Sequence, residues 1–169
     1  MSKLVLIGGP PGVGKSTVLR LLEKQLNHAG LLDADDVWRV SEQLATGAGR
    51  HIALTNVISV MEGYFHAGCE TGILSWVFAR PELYEPVIKG LEKVVESVTQ
   101  VYLIATPEVL EARLRHRPES GNDNHLIEKR IAYSRSRLEL IEALPFPKID
   151  TSRISPTEVA GRIVTLINA

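Results

Sequence analysis

Residues Gly9-Pro10-Pro11-Gly12-Val13-Gly14-Lys15-Ser16 satisfy the pattern G-x-x-x-x-G-K-[ST] at every fixed position, and no other segment restricts this chain so strongly. Glycines let the backbone curl until successive N–H groups point inward at phosphate oxygens. The lysine then reaches the outer phosphates, and the hydroxyl after it can ligate Mg²⁺. The flanks come in the order this device requires. An apolar run, Lys3-Leu4-Val5-Leu6-Ile7-Gly8, precedes the loop, and Val18, Leu19, Leu22 and Leu26 share one face of the helical pattern behind it. An ordinary glycine-rich turn would leave Lys15 unexplained, because a cation in the first helical turn opposes the helix dipole by about 0.3–1 kcal/mol. A polyphosphate on that helix terminus reverses the sign. Gly9, Pro10, Pro11, Gly12, Val13, Gly14, Lys15, Ser16 and Thr17 are therefore expected to hold the phosphates of a nucleotide.

Apolar periodicity alternates between short strand-like runs and longer helical ones, the pattern of β and α units around a parallel sheet. Five parallel strands are expected near Lys3 to Gly8, Gly30 to Asp33, Gly72 to Phe78, Thr99 to Ala105 and Pro147 to Asp150. Helices are expected over Lys15 to Asn27, Asp36 to Thr46, His51 to His66, Pro81 to Ser97, Pro107 to Arg117, His125 to Leu144 and Ser155 to Ile167. Thr106-Pro107 puts a proline where a helix begins. Pro118 to Asn124 is the most polar and breaker-rich stretch and reads as a mobile loop. With 169 residues and no repeat or linker, a single domain spanning 1–169 is expected.

Composition excludes several classes. The apolar runs fall well short of membrane-spanning length, and no basic region leads a hydrophobic stretch at the start, so the expected address is the cytoplasm. A net charge of −1 argues against a nucleic-acid partner and for a small anion held locally. Cys69 is the only cysteine and reads as a small buried apolar residue.

Acids follow strand 2 in Leu31-Leu32-Asp33-Ala34-Asp35-Asp36, at the carboxyl end where open α/β sheets gather ligands. In extended geometry Asp33 and Asp35 project to the same side. One can hold Mg²⁺ while the other accepts the proton of an attacking hydroxyl. Alternatively, Asp35 or Asp36 caps the helix beginning at Val37.

With the phosphate loop, the D-x-D pair, an arginine-bearing segment around Pro118 and a closing Asp150-Thr151-Ser152, the chain resembles the small P-loop kinases: shikimate, gluconate and nucleoside kinases and the chloramphenicol phosphotransferase type. The resemblance spans nearly the whole chain. It implies a three-layer α/β/α P-loop NTPase fold with a five-stranded parallel sheet, adenylate-kinase-like, with a short lid at about 113–130. It also implies ATP and Mg²⁺ as cofactors, with the γ-phosphoryl group passing to a small-molecule acceptor. Carried onto matching positions, it assigns Asp33 with Ser16 to the metal, and Asp35 to the acceptor hydroxyl. Lys15, Arg117 and Arg130 fall to the transferring phosphoryl group, and Arg113 to the nucleotide. Asp150-Thr151-Ser152-Arg153 matches the loop those kinases pack against adenine.

The departures are equally specific. Strand 3 runs out as Ser75-Trp76-Val77-Phe78 and strand 4 as Ile104-Ala105-Thr106, so neither ends in an acid, and no glycine-rich segment follows strand 3. Shikimate and gluconate as exact acceptors are thereby demoted. Arg80, just past strand 3, can pair with an acidic acceptor or a product phosphate. Arg50, with His51, Asn56, Glu62 and Tyr64, lies where such kinases build the acceptor pocket. A regulatory GTPase is disfavoured because no N-K-x-D occurs, and an AAA+ motor by the short chain and missing strand-end acid. A nucleotide-binding regulatory protein, or an ATPase without an acceptor, stays open as the alternative.

Overall fold

The computed structural model describes residues 2–38, 47–117 and 124–168. Among these residues five parallel strands form one sheet: β1 (Lys3–Gly8), β2 (Ala29–Asp33), β3 (Thr71–Ser75), β4 (Ser97–Ile104) and β5 (Lys148–Asp150), in the order β2-β3-β1-β4-β5. Strand β1 lies at the centre, paired with β3 on one side and β4 on the other. Alternate residues feed opposite faces, so Leu4 and Leu6 join one core layer while Val5 and Ile7 join the other. A central strand covered on both faces has no polar side, which is why its sequence is an unbroken apolar run.

Among the described residues six α-helices accompany the sheet: α1 (Lys15–Glu23), α2 (Gly47–His66), α3 (Pro81–Leu91), α4 (Pro107–Arg115), α5 (Asn124–Glu142) and α6 (Pro156–Asn168). Val18 and Leu22 of α1, Leu110 of α4, and Val159, Ala160 and Ile163 of α6 pack with Val5, Ile7, Val101 and Leu103. Ala53, Val57 and Met61 of α2 and Tyr84, Val87 and Leu91 of α3 pack with Leu4, Leu6 and Tyr102 on the other face. The three-layer α/β/α expectation therefore holds.

Boundaries depart in instructive ways. Helix α1 stops at Glu23 rather than Asn27, and the chain turns into β2 through His28, whose φ is 52°. Strand β3 stops at Ser75 rather than Phe78, and Phe78 itself takes a left-handed φ of 43° that no strand residue adopts. Helix α3 ends at Leu91, six residues before Ser97, which opens β4 instead. Where a helix over Asp36 to Thr46 was expected, the chain makes a short 3-10 turn, Ala34–Val37, and residues 39–46 lie outside the described residues. Of the polar loop expected at Pro118 to Asn124, residues 118–123 also lie outside them. Thr106 caps α4 ahead of Pro107, its Oγ1 accepting from the Val109 N–H at 3.4 Å. Cys69, expected in the core, is partly exposed. No described helix is long and apolar enough to cross a membrane.

Parallel strands send all their carboxyl ends to one edge. Chain order reverses direction around β1, which opens a crevice at its end, the place where such sheets bind ligands.

Candidate active site

The loop after β1 curls through two left-handed glycines. Gly12 has φ 84°, and a Cβ there would stand 2.9 Å from Leu114 Cγ. Gly14, with φ 107°, is the N-cap of α1. It offers no side chain to the first N–H groups of that helix, and no acidic residue stands in the first turn. The uncapped donors and the dipole make an anion seat of this terminus.

The loop's carbonyls are taken up by donors from distant elements. Val13 O accepts from Arg113 Nη1 at 3.2 Å and from the Thr151 hydroxyl at 3.2 Å. Pro11 O accepts from Ser134 Oγ at 2.7 Å, and Ser134 is buried. Lys15 folds back across the loop and donates from Nζ to Gly9 O at 2.8 Å and Pro10 O at 3.2 Å. Its ammonium is desolvated, which lowers its pKa to about 8 although Asp33 and Asp35 pull the other way.

Asp33 closes β2 and does two jobs at once. Its Oδ2 accepts from the Ser16 hydroxyl at 2.7 Å, while Oδ1 accepts from the Asp35 N–H at 3.3 Å and so caps the 3-10 turn. The helix expected to begin at Val37, which Asp35 or Asp36 was expected to cap, runs into residues 39–46, outside the described residues. The D-x-D pair is brought to one cleft by the 3-10 turn rather than by extended alternation. Burial, and next the charge of Asp33, raise the Asp35 carboxyl above the ordinary aspartate value. The indole N–H of Trp76, beside it, works the other way.

These groups line a cleft of about 490 Å³. Pro11 to Val18 form its floor with Asp33 and Asp35, Arg117 lies on its wall, and Thr151, Ile154, Pro156 and Val159 supply a more apolar side. Arg117 is near enough to Lys15 to weigh against its protonation. Arg113 also reaches the cleft, but its guanidinium is engaged with Val13 O, the Thr151 hydroxyl at 2.9 Å and Thr151 O at 2.8 Å. Those bonds join the phosphate loop to the segment that follows β5. Arg130 stands exposed on α5, one turn before Ser134, and is not among the residues lining the cleft.

A second pocket of about 400 Å³ adjoins the first at Val77, which lines both. Arg50 and Arg80, expected on the acceptor side, both line it. Arg137, Tyr133, Trp38 and Trp76 join them, none of which local sequence pattern had singled out as a ligand. Between the pockets the chain is strained. Buried Phe78 holds its left-handed φ while Tyr102 Oη donates to its carbonyl at 3.1 Å. The rings of Trp38, Trp76 and Phe78 meet edge to face, with centroids 6.0 and 5.9 Å apart. Non-glycine residues in this conformation persist only where surroundings enforce it, and they concentrate at functional sites. Of the other residues flagged on α2, Asn56 Nδ2 donates to Val37 O at 3.0 Å and Tyr64 packs over Gly30.

Glu111 and Arg115, an i, i+4 ion pair on α4, belong to a larger network. Glu111 also meets Arg135 at 2.6 Å, and Arg115 meets Glu128 at 2.7 Å, which ties α4 to α5.

Solved structures share this architecture over nearly the whole chain. A sugar kinase from Janibacter sp. HTCC2649 is 21% identical, with a TM-score of 0.71, over 99% of this chain and 95% of that one. A shikimate kinase from Acinetobacter baumannii in complex with shikimate is also 21% identical, with a TM-score of 0.62, over 99% and 93%. The tunicamycin resistance protein of Deinococcus radiodurans is 19% identical, with a TM-score of 0.65, over 99% and 96%. No functionally curated protein matches the chain by sequence. A family model described as "AAA domain" matches residues 5–133, from β1 through the phosphate loop into α5. An AAA+ motor is disfavoured by the short chain and a missing strand-end acid, and β3 and β4 do end in Ser75 and Ile104. On that match, which covers most of its length, the chain belongs to the AAA domain family, folded as the small P-loop kinases are.

Proposed function

We propose that this protein is a P-loop phosphotransferase that uses ATP and Mg²⁺ to phosphorylate a hydroxyl of a small-molecule acceptor. The observation that carries this reading is the junction of the two pockets. Asp35 stands on the nucleotide side beside Trp76, and Trp76 and Val77 line the adjoining pocket. An ATPase without an acceptor has no use for a second, arginine-bearing pocket against its catalytic carboxylate.

The residues present fit ATP·Mg²⁺. Uncapped helix N–H groups, two left-handed glycines and Lys15 suit a polyphosphate, and the Ser16–Asp33 hydroxyl–carboxylate pair suits a hard cation that prefers oxygen ligands. When bound, ATP·Mg²⁺ supplies the γ-phosphoryl group. The protein's own work is positional and electrostatic. Gly12 to Thr17 hold the phosphates, Ser16 and Asp33 hold the metal side, and Lys15 and Arg117 compensate the developing charge. Asp35, its basicity raised by burial, orients the acceptor hydroxyl and takes its proton as the oxygen bonds to phosphorus. Arg130 is kept as a candidate partner of the transferring group, and Arg113 as the residue that holds Val13 and Thr151 beneath the nucleotide. The reading includes the cytoplasm as address and no nucleic-acid partner.

The test is ATP consumption with Mg²⁺ over a panel of hydroxylated acceptors: sugars and sugar acids, nucleosides, hydroxylated carboxylic acids and hydroxylated antibiotics. Acceptor-stimulated turnover with ³¹P resonances of a new phosphoester is expected. ATP binding without turnover on any acceptor would favour the regulatory alternative.

A further inference from the structure

Three guanidiniums, those of Arg50, Arg80 and Arg137, line the second pocket, against one carboxylate, Glu82, among the described residues. None of the three makes an ion pair among the described residues. Two residues of this pocket also carry a buried donor that finds no partner among the described residues, Arg137 Nε and Trp38 Nε1. Leaving a donor buried and unsatisfied costs about 1–3 kcal/mol. Both orphans are donors, so what would satisfy them is an acceptor oxygen, and the net positive lining favours an anionic one.

Shape narrows the class further. Arg137 lies over the Tyr133 ring, its Cζ 4.5 Å from the centroid. A guanidinium stacked by its face keeps its edge for paired hydrogen bonds to carboxylate or phosphate. Tyr133 remains 45% exposed, and the Trp38–Trp76 pair presents further aromatic surface to the same space. Open aromatic surface beside a cationic cluster suits a ligand with one apolar, ring-like side and one anionic end.

Resting on the phosphotransfer reading above, we propose that the acceptor is a hydroxylated anion, with a carboxylate or phosphate group on a ring-like or apolar frame. Its anionic end is taken by Arg137, Arg80 and Arg50, and its hydroxyl is directed past Trp76 to Asp35. The arginines then serve a second purpose, since they offset the repulsion between an anionic acceptor and the triphosphate in the neighbouring cleft.

Binding of simple probes tests this without any need for turnover. Benzoate, phenyl phosphate and benzamide are titrated by ligand-observed NMR into the full-length protein saturated with a non-hydrolysable ATP analogue and Mg²⁺. Benzoate or phenyl phosphate is expected to bind at least tenfold more tightly than benzamide, and the stronger of the two identifies the anionic handle. Arg137→Met and, separately, Arg80→Met should each cut that preference at least fivefold, with affinity for the ATP analogue serving as the check on folding. Equal binding of anion and amide, binding of none of the probes, or a preference that survives both substitutions would overturn the proposal. Phosphotransfer is scored in a separate assay, so a protein that prefers the anions but never consumes ATP would sink the kinase reading and leave the anion site standing.

Discussion

Ser134 of α5 donates its hydroxyl to the carbonyl of Pro11 at 2.7 Å, across 123 positions of sequence, and so fastens the crest of the phosphate loop to the helix that also carries Tyr133 and Arg137. One buried hydrogen bond of this kind is worth about 1 kcal/mol net. Ser134→Ala should therefore raise the Kd for Mg·ADP about fivefold by titration calorimetry. An unchanged Kd would show that the loop keeps its shape without this anchor.

The Lys15 ammonium, lowered to about 8 by burial, makes nucleotide affinity pH-dependent near neutrality. Phosphates favour its charged form. Below pH 8 the proton is already present and affinity is full; above pH 8 binding must take up a proton, and affinity should fall by up to about tenfold per pH unit. Because the folded pKa lies below the ordinary lysine value, the same group costs stability at low pH, a cost that fades as pH rises from about 8 towards 10.5. Titration calorimetry in buffers of different ionisation enthalpy should detect proton uptake at pH 8.5 and little at pH 6.5.

Asp33 receives the Ser16 hydroxyl, so replacing the carboxylate should act through the metal requirement. Asp33→Asn is expected to raise the Mg²⁺ concentration for half-maximal activity about 10–100-fold, the range seen when groups that orient metal ligands are lost. Activity titrated against free Mg²⁺ decides it, and a shift confined to the ATP KM would move the metal role elsewhere.

Asp35→Asn removes the carboxylate whose basicity is raised by burial and by Asp33, and kcat should fall about 10²–10⁴-fold. In the wild type the acidic limb of kcat/KM should lie above 3.8, the ordinary aspartate value. A rate within a few-fold of wild type would transfer the base role to another group.

Gly12→Ala forces a β-carbon to a left-handed φ of 84° and to within 2.9 Å of Leu114 Cγ. The backbone term alone costs about 1–3 kcal/mol, and thermal unfolding should register the loss together with weakened ADP binding.

Much of this molecule is local, and local features are what a sequence displays. The loop from Gly9 to Ser16 was legible because left-handed glycines, a lysine at the fixed position of the pattern and a hydroxyl answer to the geometry of phosphate itself. The apolar runs of β1 and β4 were legible because a strand buried on both faces has no polar side to hide. Asp33 could be placed at a strand end, since strand ends in such sheets gather at one edge.

What escaped the sequence are relations between residues far apart in it. Nothing near Ser134 announces the carbonyl of Pro11, and nothing near Arg113 says that its guanidinium is engaged by Val13 and Thr151. The left-handed Phe78 accepts a hydrogen bond from Tyr102 of β4 that periodicity cannot see, and β3 ends before it, earlier than apolar pattern suggested. Arg137 joined Arg50 and Arg80 only because α5 packs beside the turn after β3. Sequence by itself determined that a phosphate-loop pattern follows the first strand of a parallel α/β sheet. Tertiary structure decided which distant side chains hold that loop and which cations meet in the adjoining pocket, because long-range packing, not local propensity, sets those distances.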